Sequence, residues 1–268
     1  MRHLRLAFAL TALAALPAAA QDRFAMPVTA QVLHGWVQAD GSRMAAVHMD
    51  LEAGWKTYWR APGDAGIPPS FDWRGSRNLH SVAISWPRPD VFDENGMRSI
   101  GYSERLVIPL SITPKEAGSP VHVRLSMDIG ICADICIPHR LEFDEVIATD
   151  ETRPTPAIAA ALADGPYSAA EAGVTSARCT IEPTAEGLRI EARVGVPHTG
   201  GTEVMVIESG LPDIWVSESD TRRSGDEVIA VSEMIHVNGG PIALDRSAIR
   251  LTVLGSNHAV DVRGCSAG

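Results

Sequence analysis

Past its first twenty residues this 268-residue chain has no long apolar run. Nothing approaches the roughly 18 uninterrupted apolar residues that a membrane-crossing helix requires, so the remainder is expected to be soluble and not membrane-embedded. An excess of basic charge is also missing: 23 Lys and Arg stand against 33 Asp and Glu, a net charge of −10. That balance disfavours nucleic acid and anionic lipid as partners. Hydrolase signatures are absent as well, since Ser, His and Asp are plentiful but form neither a nucleophile elbow nor an HExxH helix. No resident cofactor or metal is called for. Cysteine is scarce, four residues in all, and the placement of each is therefore informative.

Residues 1–20 read as a secretory leader. Arg2 and Arg5 make a basic start, Leu6 to Leu16 is an apolar core too short to span a bilayer, and Ala18-Ala19-Ala20 supplies small residues for cleavage. The mature chain is expected to begin at Gln21, which leaves 21 basic against 33 acidic residues, a net charge near −12. Export places the cysteines in an oxidising compartment, where a pair persists as a disulfide.

Along the chain the apolar pattern has period two and is broken every 8 to 12 residues by turn signals, which argues for β-sandwiches. Strands are expected at 29–37, 45–51, 82–86, 105–112, 121–129 and 137–147. The stretch from Gly54 to Trp73 is rich in Gly, Pro, Trp and Tyr and reads as a long loop packed by its aromatics, with no regular element. Residues 149–177 change character. Thr155-Pro156 suits the start of a helix over 157–163, and Gly165-Pro166 ends it. From Arg178 strands resume at 179–183, 188–196, 203–207, 214–218, 228–237 and 249–254. The expected layout is a leader at 1–20, a first sandwich at 21–150, a linker with one short helix at 151–177, and a second sandwich at 178–268.

The chain centres on Gly130-Ile131-Cys132-Ala133-Asp134-Ile135-Cys136-Ile137-Pro138-His139-Arg140. With strand pattern on both flanks, Ala133 to Ile135 reads as a hairpin connection. Residues facing each other across antiparallel strands have Cα atoms about 4.5–5.5 Å apart, within the roughly 4.4–6.8 Å of a disulfide. On one straight strand the two cysteines would be about 13 Å apart. The loop closed by such a bridge is short and contributes about 2 kcal/mol, whereas one joining Cys179 to Cys265 contributes about 4.6 kcal/mol. Cys179 and Cys265 bracket the second sandwich and read as a structural staple. A short bridge of small stabilising value suits a reducible pair.

Three separated motifs carry a family resemblance: Tyr58-Trp59-Arg60-Ala61-Pro62-Gly63-Asp64-Ala65-Gly66-Ile67-Pro68-Pro69, then Ile100-Gly101-Tyr102, then Cys132 to Pro138. Over residues 28–148 the chain resembles the N-terminal periplasmic domain of the thiol:disulfide interchange protein DsbD. The three-residue gap between the cysteines is similar to that of its relative ScsB, a protein linked to copper tolerance. The resemblance implies an all-β chain of immunoglobulin-like sandwiches and a cysteine pair that shuttles electrons. They would come from a membrane thiol reductant and pass to periplasmic thioredoxin-like proteins. It casts Cys136, followed one residue on by Pro138, as the sulfur that forms mixed disulfides, and Cys132 as the resolving partner. It also places a shielding cap loop at Phe92, Asp93, Glu94, Asn95, Gly96 and Met97. The family's membrane and C-terminal thioredoxin-like parts are not in this sequence, so the electron donor is expected to be a separate chain. The competing reading is a periplasmic Cu(I) protein that uses the same two thiolates, with Met127 or His139 assisting, because soft sulfur ligands select Cu(I). A purely structural adaptor is the third reading, under which Cys136 would be dispensable.

Overall fold

The computed structural model describes residues 26–94, 96–148 and 150–268, Glu94 by its backbone alone. The expected leader at 1–20 and Asn95 of the expected cap lie outside the described residues. The first half contains β1 (Val28–Val37), β2 (Arg43–Leu51), β3 (Lys56–Tyr58), β4 (Ser70–Asp72), β5 (Leu79–Ile84), β6 (Asp90–Glu94), β7 (Met97–Ser103), β8 (Arg105–Pro114), β9 (Val121–Cys132) and β10 (Cys136–Ile147). After helix α1 (Pro156–Ala163) come β11 (Tyr167–Ser168), β12 (Ser176–Pro183), β13 (Leu188–Gly195), β14 (Val204–Glu208), β15 (Ile214–Val216), β16 (Asp220–Ser224), β17 (Glu227–His236), β18 (Arg250–Leu254), β19 (Ala259–Arg263) and β20 (Ser266–Ala267). The protein is nearly all β, two tandem immunoglobulin-like sandwiches joined through one short helix.

In the first sandwich a sheet ordered β1-β2-β8-β5 packs on one ordered β10-β9-β3-β7-β6, with β4 also paired to β9. The second sandwich pairs β11-β19-β18-β14 with β15-β17-β13-β12-β20, and β16 lies on β17. Alternation explains which faces meet. On β9 the odd residues Val121, Val123, Leu125, Met127, Ile129 and Ile131 are buried in the first core, while Arg124 and Asp128 between them are exposed. The same core holds Trp59, Leu106, Ile108 and Leu110.

Two expectations are corrected. The stretch 54–73 is not free of regular structure: β3 and β4 lie inside it, each three residues long and each paired to β9. They are too short to show a period, and the flanking Gly and Pro obscure them. The expected linker is also partly built into the second sandwich, because Tyr167 and Ser168 pair in parallel with Val260 and Asp261. The helix forms where Thr155-Pro156 predicts it. The Thr155 hydroxyl does not cap it, however, and instead donates to the His34 carbonyl at 2.8 Å. Ile158, fully buried, packs on Met44 and Ala46, so the helix covers the outer face of the first sheet.

The two sandwiches share a continuous contact. Leu254 and Ala259 belong to the first core, and Val206 packs against it. Arg60 donates to both carboxylate oxygens of Glu208, at 3.0 and 2.9 Å, and to the Thr252 hydroxyl at 3.3 Å. Its guanidinium also stacks on the Trp59 ring at 3.9 Å. Asp64 accepts the Glu218 backbone N–H, and Arg98 pairs with the Glu218 carboxylate at 3.0 Å. Beside these pairs a cleft of about 730 Å³ opens between the sandwiches.

Candidate functional site

Cys132 ends β9 and Cys136 begins β10, and the two face each other in register with their Cα atoms 4.1 Å apart and their sulfurs bonded. Ala133 to Ile135 form the connection, closed by the Ala133 N–H donating to the Ile135 carbonyl. Both cysteines have even parity on this hairpin and so face away from the core. On most of β9 that outer face is wet. At its end it is covered: Cys132 is 1 % exposed and Gly130 is buried, whereas Cys136 is exposed.

The cover begins with β3. Lys56 is in register with Cys132, and Thr57 with Ile131. Thr57 and Trp59 therefore belong to the inner face, while Lys56 and Tyr58 stand on the outer face beside the cysteines. One rung of the sheet thus reads Cys136, Cys132, Lys56, Ser103 across four strands. Tyr58 is 3 % exposed and its hydroxyl lies 3.6 Å from the Cys136 sulfur. Gly130 makes that reach feasible. A Cβ at Gly130 would come within 2.8 Å of the Ile67 Cβ and 3.2 Å of the Tyr58 ring. The loop after β3 folds back across the bare backbone, bringing Ile67 down on it.

The expected cap is a hairpin rather than an irregular loop. Its strands β6 and β7 pair Phe92 with Ser99, Asp93 with Arg98 and Glu94 with Met97. Phe92 shares the outer face with Lys56, and the Lys56 ammonium sits 5.1 Å from its ring centroid. The aromatic of this hairpin therefore reaches the cysteine pair through Lys56. Asp93, Gly96 and Met97 are exposed, Met97 by 61 %. Sequence reasoning does not single out Lys56. Lys56-Thr57-Tyr58-Trp59 shows no polar–apolar alternation and is too short to mark a strand.

Parity also bears on copper. Met127 is fully buried in the core, and His139 pairs with Ile129 on that inner face. Neither can join the two thiols on the outer face. Among the described residues no group of three or more His, Cys, Asp or Glu is placed to hold a metal ion.

Cys179 and Cys265 are bonded to each other, 86 residues apart in sequence. Cys179 lies fully buried in the second core, and Cys265 packs against it. The Cys179 carbonyl accepts from Arg246 at 2.7 Å, and the N–H of Gly268 donates to the same oxygen. The bridge ties β12 to the end of the chain. Among the described residues no helix is long and apolar enough to cross a membrane.

Residues 21–148 match the family model described as thiol:disulfide interchange protein DsbD, N-terminal. The crystal structure of the N-terminal periplasmic domain of ScsB from Proteus mirabilis aligns with 89 % of this chain and 94 % of its own, at 18 % identity and a TM-score of 0.66. The reduced N-terminal domain of DsbD from Neisseria meningitidis aligns with 46 % of this chain and 90 % of its own, at 20 % identity and a TM-score of 0.27. No curated protein matches.

Proposed function

We propose, from the premise that residues 21–148 are a DsbD/ScsB-like N-terminal domain of the thiol:disulfide interchange family, that this protein relays electrons through Cys132 and Cys136. The donor would be a membrane thiol reductant and the acceptors periplasmic thioredoxin-like proteins. One observation carries the reading: of two bonded sulfurs in one rung, Cys136 belongs to an exposed residue and Cys132 to one that is 1 % exposed. An incoming thiolate must approach the sulfur under attack in line with the bond it breaks. Burial beside Lys56 closes the approach to Cys132, whereas Cys136 stays exposed with the Tyr58 hydroxyl 3.6 Å from its sulfur. The bond then breaks toward Cys132, which keeps the electron pair. The donor's second thiol attacks the donor sulfur of the mixed disulfide and releases the pair as a dithiol. When Cys136 later attacks an acceptor's disulfide, Cys132 displaces the reduced acceptor and restores the bridge. The leader at 1–20 supports a periplasmic setting for this exchange. In this scheme Cys179 and Cys265 serve only to hold the second sandwich.

The test is to trap the intermediate. Cys132→Ser should accumulate a covalent complex between Cys136 and a thioredoxin-like protein, visible on non-reducing gels after rapid alkylation in the native periplasm. Cys136→Ser should trap little. Absence of adducts from both variants, together with stoichiometric Cu(I) binding by the reduced wild-type protein, would overturn exchange in favour of copper handling.

A further inference from the structure

Two sheet edges of the second sandwich, β14 and β15, line the cleft of about 730 Å³. The direction of their backbone groups follows from the alternation of an antiparallel ladder. On β15 the Val237 N–H donates to the Asp213 carbonyl and the Ser217 N–H to the Glu233 carbonyl. Trp215 lies opposite Ile235 between them, so the odd residues bond to β17 and the backbone of Val216 points away. On β14 the Met205 backbone points away from β18: its N–H donates to Thr221 Oγ1 at 3.1 Å, and its carbonyl accepts from Ser219 Oγ. Those two hydroxyls close the seam at Met205. Two residues on, Ile207 has the same direction, and there the cleft opens. Among the described residues neither Ile207 nor Val216 finds a partner for its outward N–H and carbonyl. Unpaired backbone groups along an edge are a template for another strand.

We propose that this cleft binds an extended segment of a partner protein as an added strand on β15, a segment in which apolar residues alternate with Lys or Arg. The outward groups of Val216 and Ile207 call for a strand, because a helix satisfies its backbone internally. The apolar residues are called for by Leu211, Trp215 and Val237, which line the cleft and are exposed. The basic residues are called for by charge. Asp64, Glu208 and Glu218 stand in the lining against Arg60 and Arg98. Arg60 holds Glu208 and Arg98 holds Glu218. Asp64 is exposed and accepts the Glu218 N–H at 3.3 Å, and among the described residues no cation pairs with it. The chain as a whole carries a net charge of −10, which draws in the same kind of segment. Such an occupant lies close to the cysteines. Gly66 lines the cleft, and a Cβ on it would come within 2.9 Å of the Tyr58 ring, whose hydroxyl is 3.6 Å from the Cys136 sulfur. Binding here does not depend on exchange at that sulfur.

The experiment titrates the full-length protein, both bridges closed, with a capped heptapeptide of alternating Val and Lys. Its Val–Glu counterpart is compared, as are forms N-methylated at every Val or at every Lys, which strip the donors from one edge or the other. The Val–Lys peptide should bind and shift the amide NMR signals of Ile207 and Val216. The Val–Glu peptide and at least one methylated form should bind about tenfold more weakly or worse. Val216→Pro removes the outward donor and leaves the bonds of Trp215 and Ser217 to β17, a change that an edge strand tolerates. It should weaken the Val–Lys peptide about tenfold, and Asp64→Asn about threefold, less so at high salt. Should Val216→Pro fail to fold, the methylated peptides decide on the wild-type protein. Failure of the Val–Lys peptide to bind at millimolar concentration overturns the proposal, and so does equal binding of all the peptides. Self-association of the free protein that Val216→Pro abolishes overturns it too, since a second copy would then be the occupant. The double variant Cys132→Ser/Cys136→Ser should bind as the wild type does. Loss of binding there would place the peptide at the cysteine pair and overturn the cleft, whereas failure of partner trapping touches only the exchange reading.

Discussion

At the residue scale, Glu203 shows how a buried charge can stabilise. Its side chain is 4 % exposed, and burial by itself would push its carboxyl up. Bonds from Arg223, at 2.5 and 2.7 Å, and from the Thr199 N–H and hydroxyl, each at 2.8 Å, outweigh that and hold it at about 2, against an ordinary 4.5. A carboxyl depressed in the folded state adds stability above its unfolded value and loses it as pH falls toward the folded one. Between pH 4.5 and 2 the protein should therefore lose on the order of 2–3 kcal/mol through this residue. Urea melts of wild type and Glu203→Gln across that window should converge as pH falls, the variant being the weaker at pH 7. Parallel curves would refute it. The same scale shows why the site is only half visible in the sequence. Cys132 and Cys136 announce themselves by rarity and spacing. Lys56 and Tyr58 do not, because what makes them part of the site is the pairing of β3 with the distant β9.

At the scale of elements, legibility follows length. β1, β2, β8, β9 and β10 each run nine residues or more, enough for alternation to stand out, and all fall near the places that alternation predicts. The three-residue β3 and β4 are hidden among glycines and prolines, and β6 and β7 read as a loop tip around Asn95-Gly96. Of these, β3 flanks Cys132 through Lys56 and β6 brings Phe92 to that lysine, so the fold class is readable where the site's architecture is not. The two bridges differ in what they do for their elements. Opening the loop between Cys179 and Cys265 by double replacement with Ser should cost about 4–5 kcal/mol, and doing the same at Cys132 and Cys136 about 2 kcal/mol. Urea denaturation of the two double variants measures the difference. Equal losses would mean that the hairpin bridge is as structural as the other.

At the scale of the whole molecule, the matched segment 21–148 is not independent of the second sandwich. Val206, Leu254 and Ala259 complete its core, and Glu208 neutralises Arg60. Burial pulls the Arg60 guanidinium below its ordinary range, and Glu208 offsets that. A fragment ending at residue 150 would lose the apolar cover and leave that arginine without its carboxylate. Breaking a largely buried pair costs about 3–5 kcal/mol, which for a domain of this size lowers the melting temperature by roughly 10–15 °C. Calorimetry on residues 21–150 against the full chain checks this, and equal melting temperatures would show the first sandwich to be self-sufficient. The same contacts have a mechanical side. Arg60 is two residues from Tyr58, Asp64 is three from Ile67, and Arg98 lies in the hairpin that carries Phe92; all three are gripped by the second sandwich. The second sandwich is in that sense the long arm of a lever whose short arm ends at the phenol beside Cys136. A load applied far from the sulfurs has a rigid path by which to reach them.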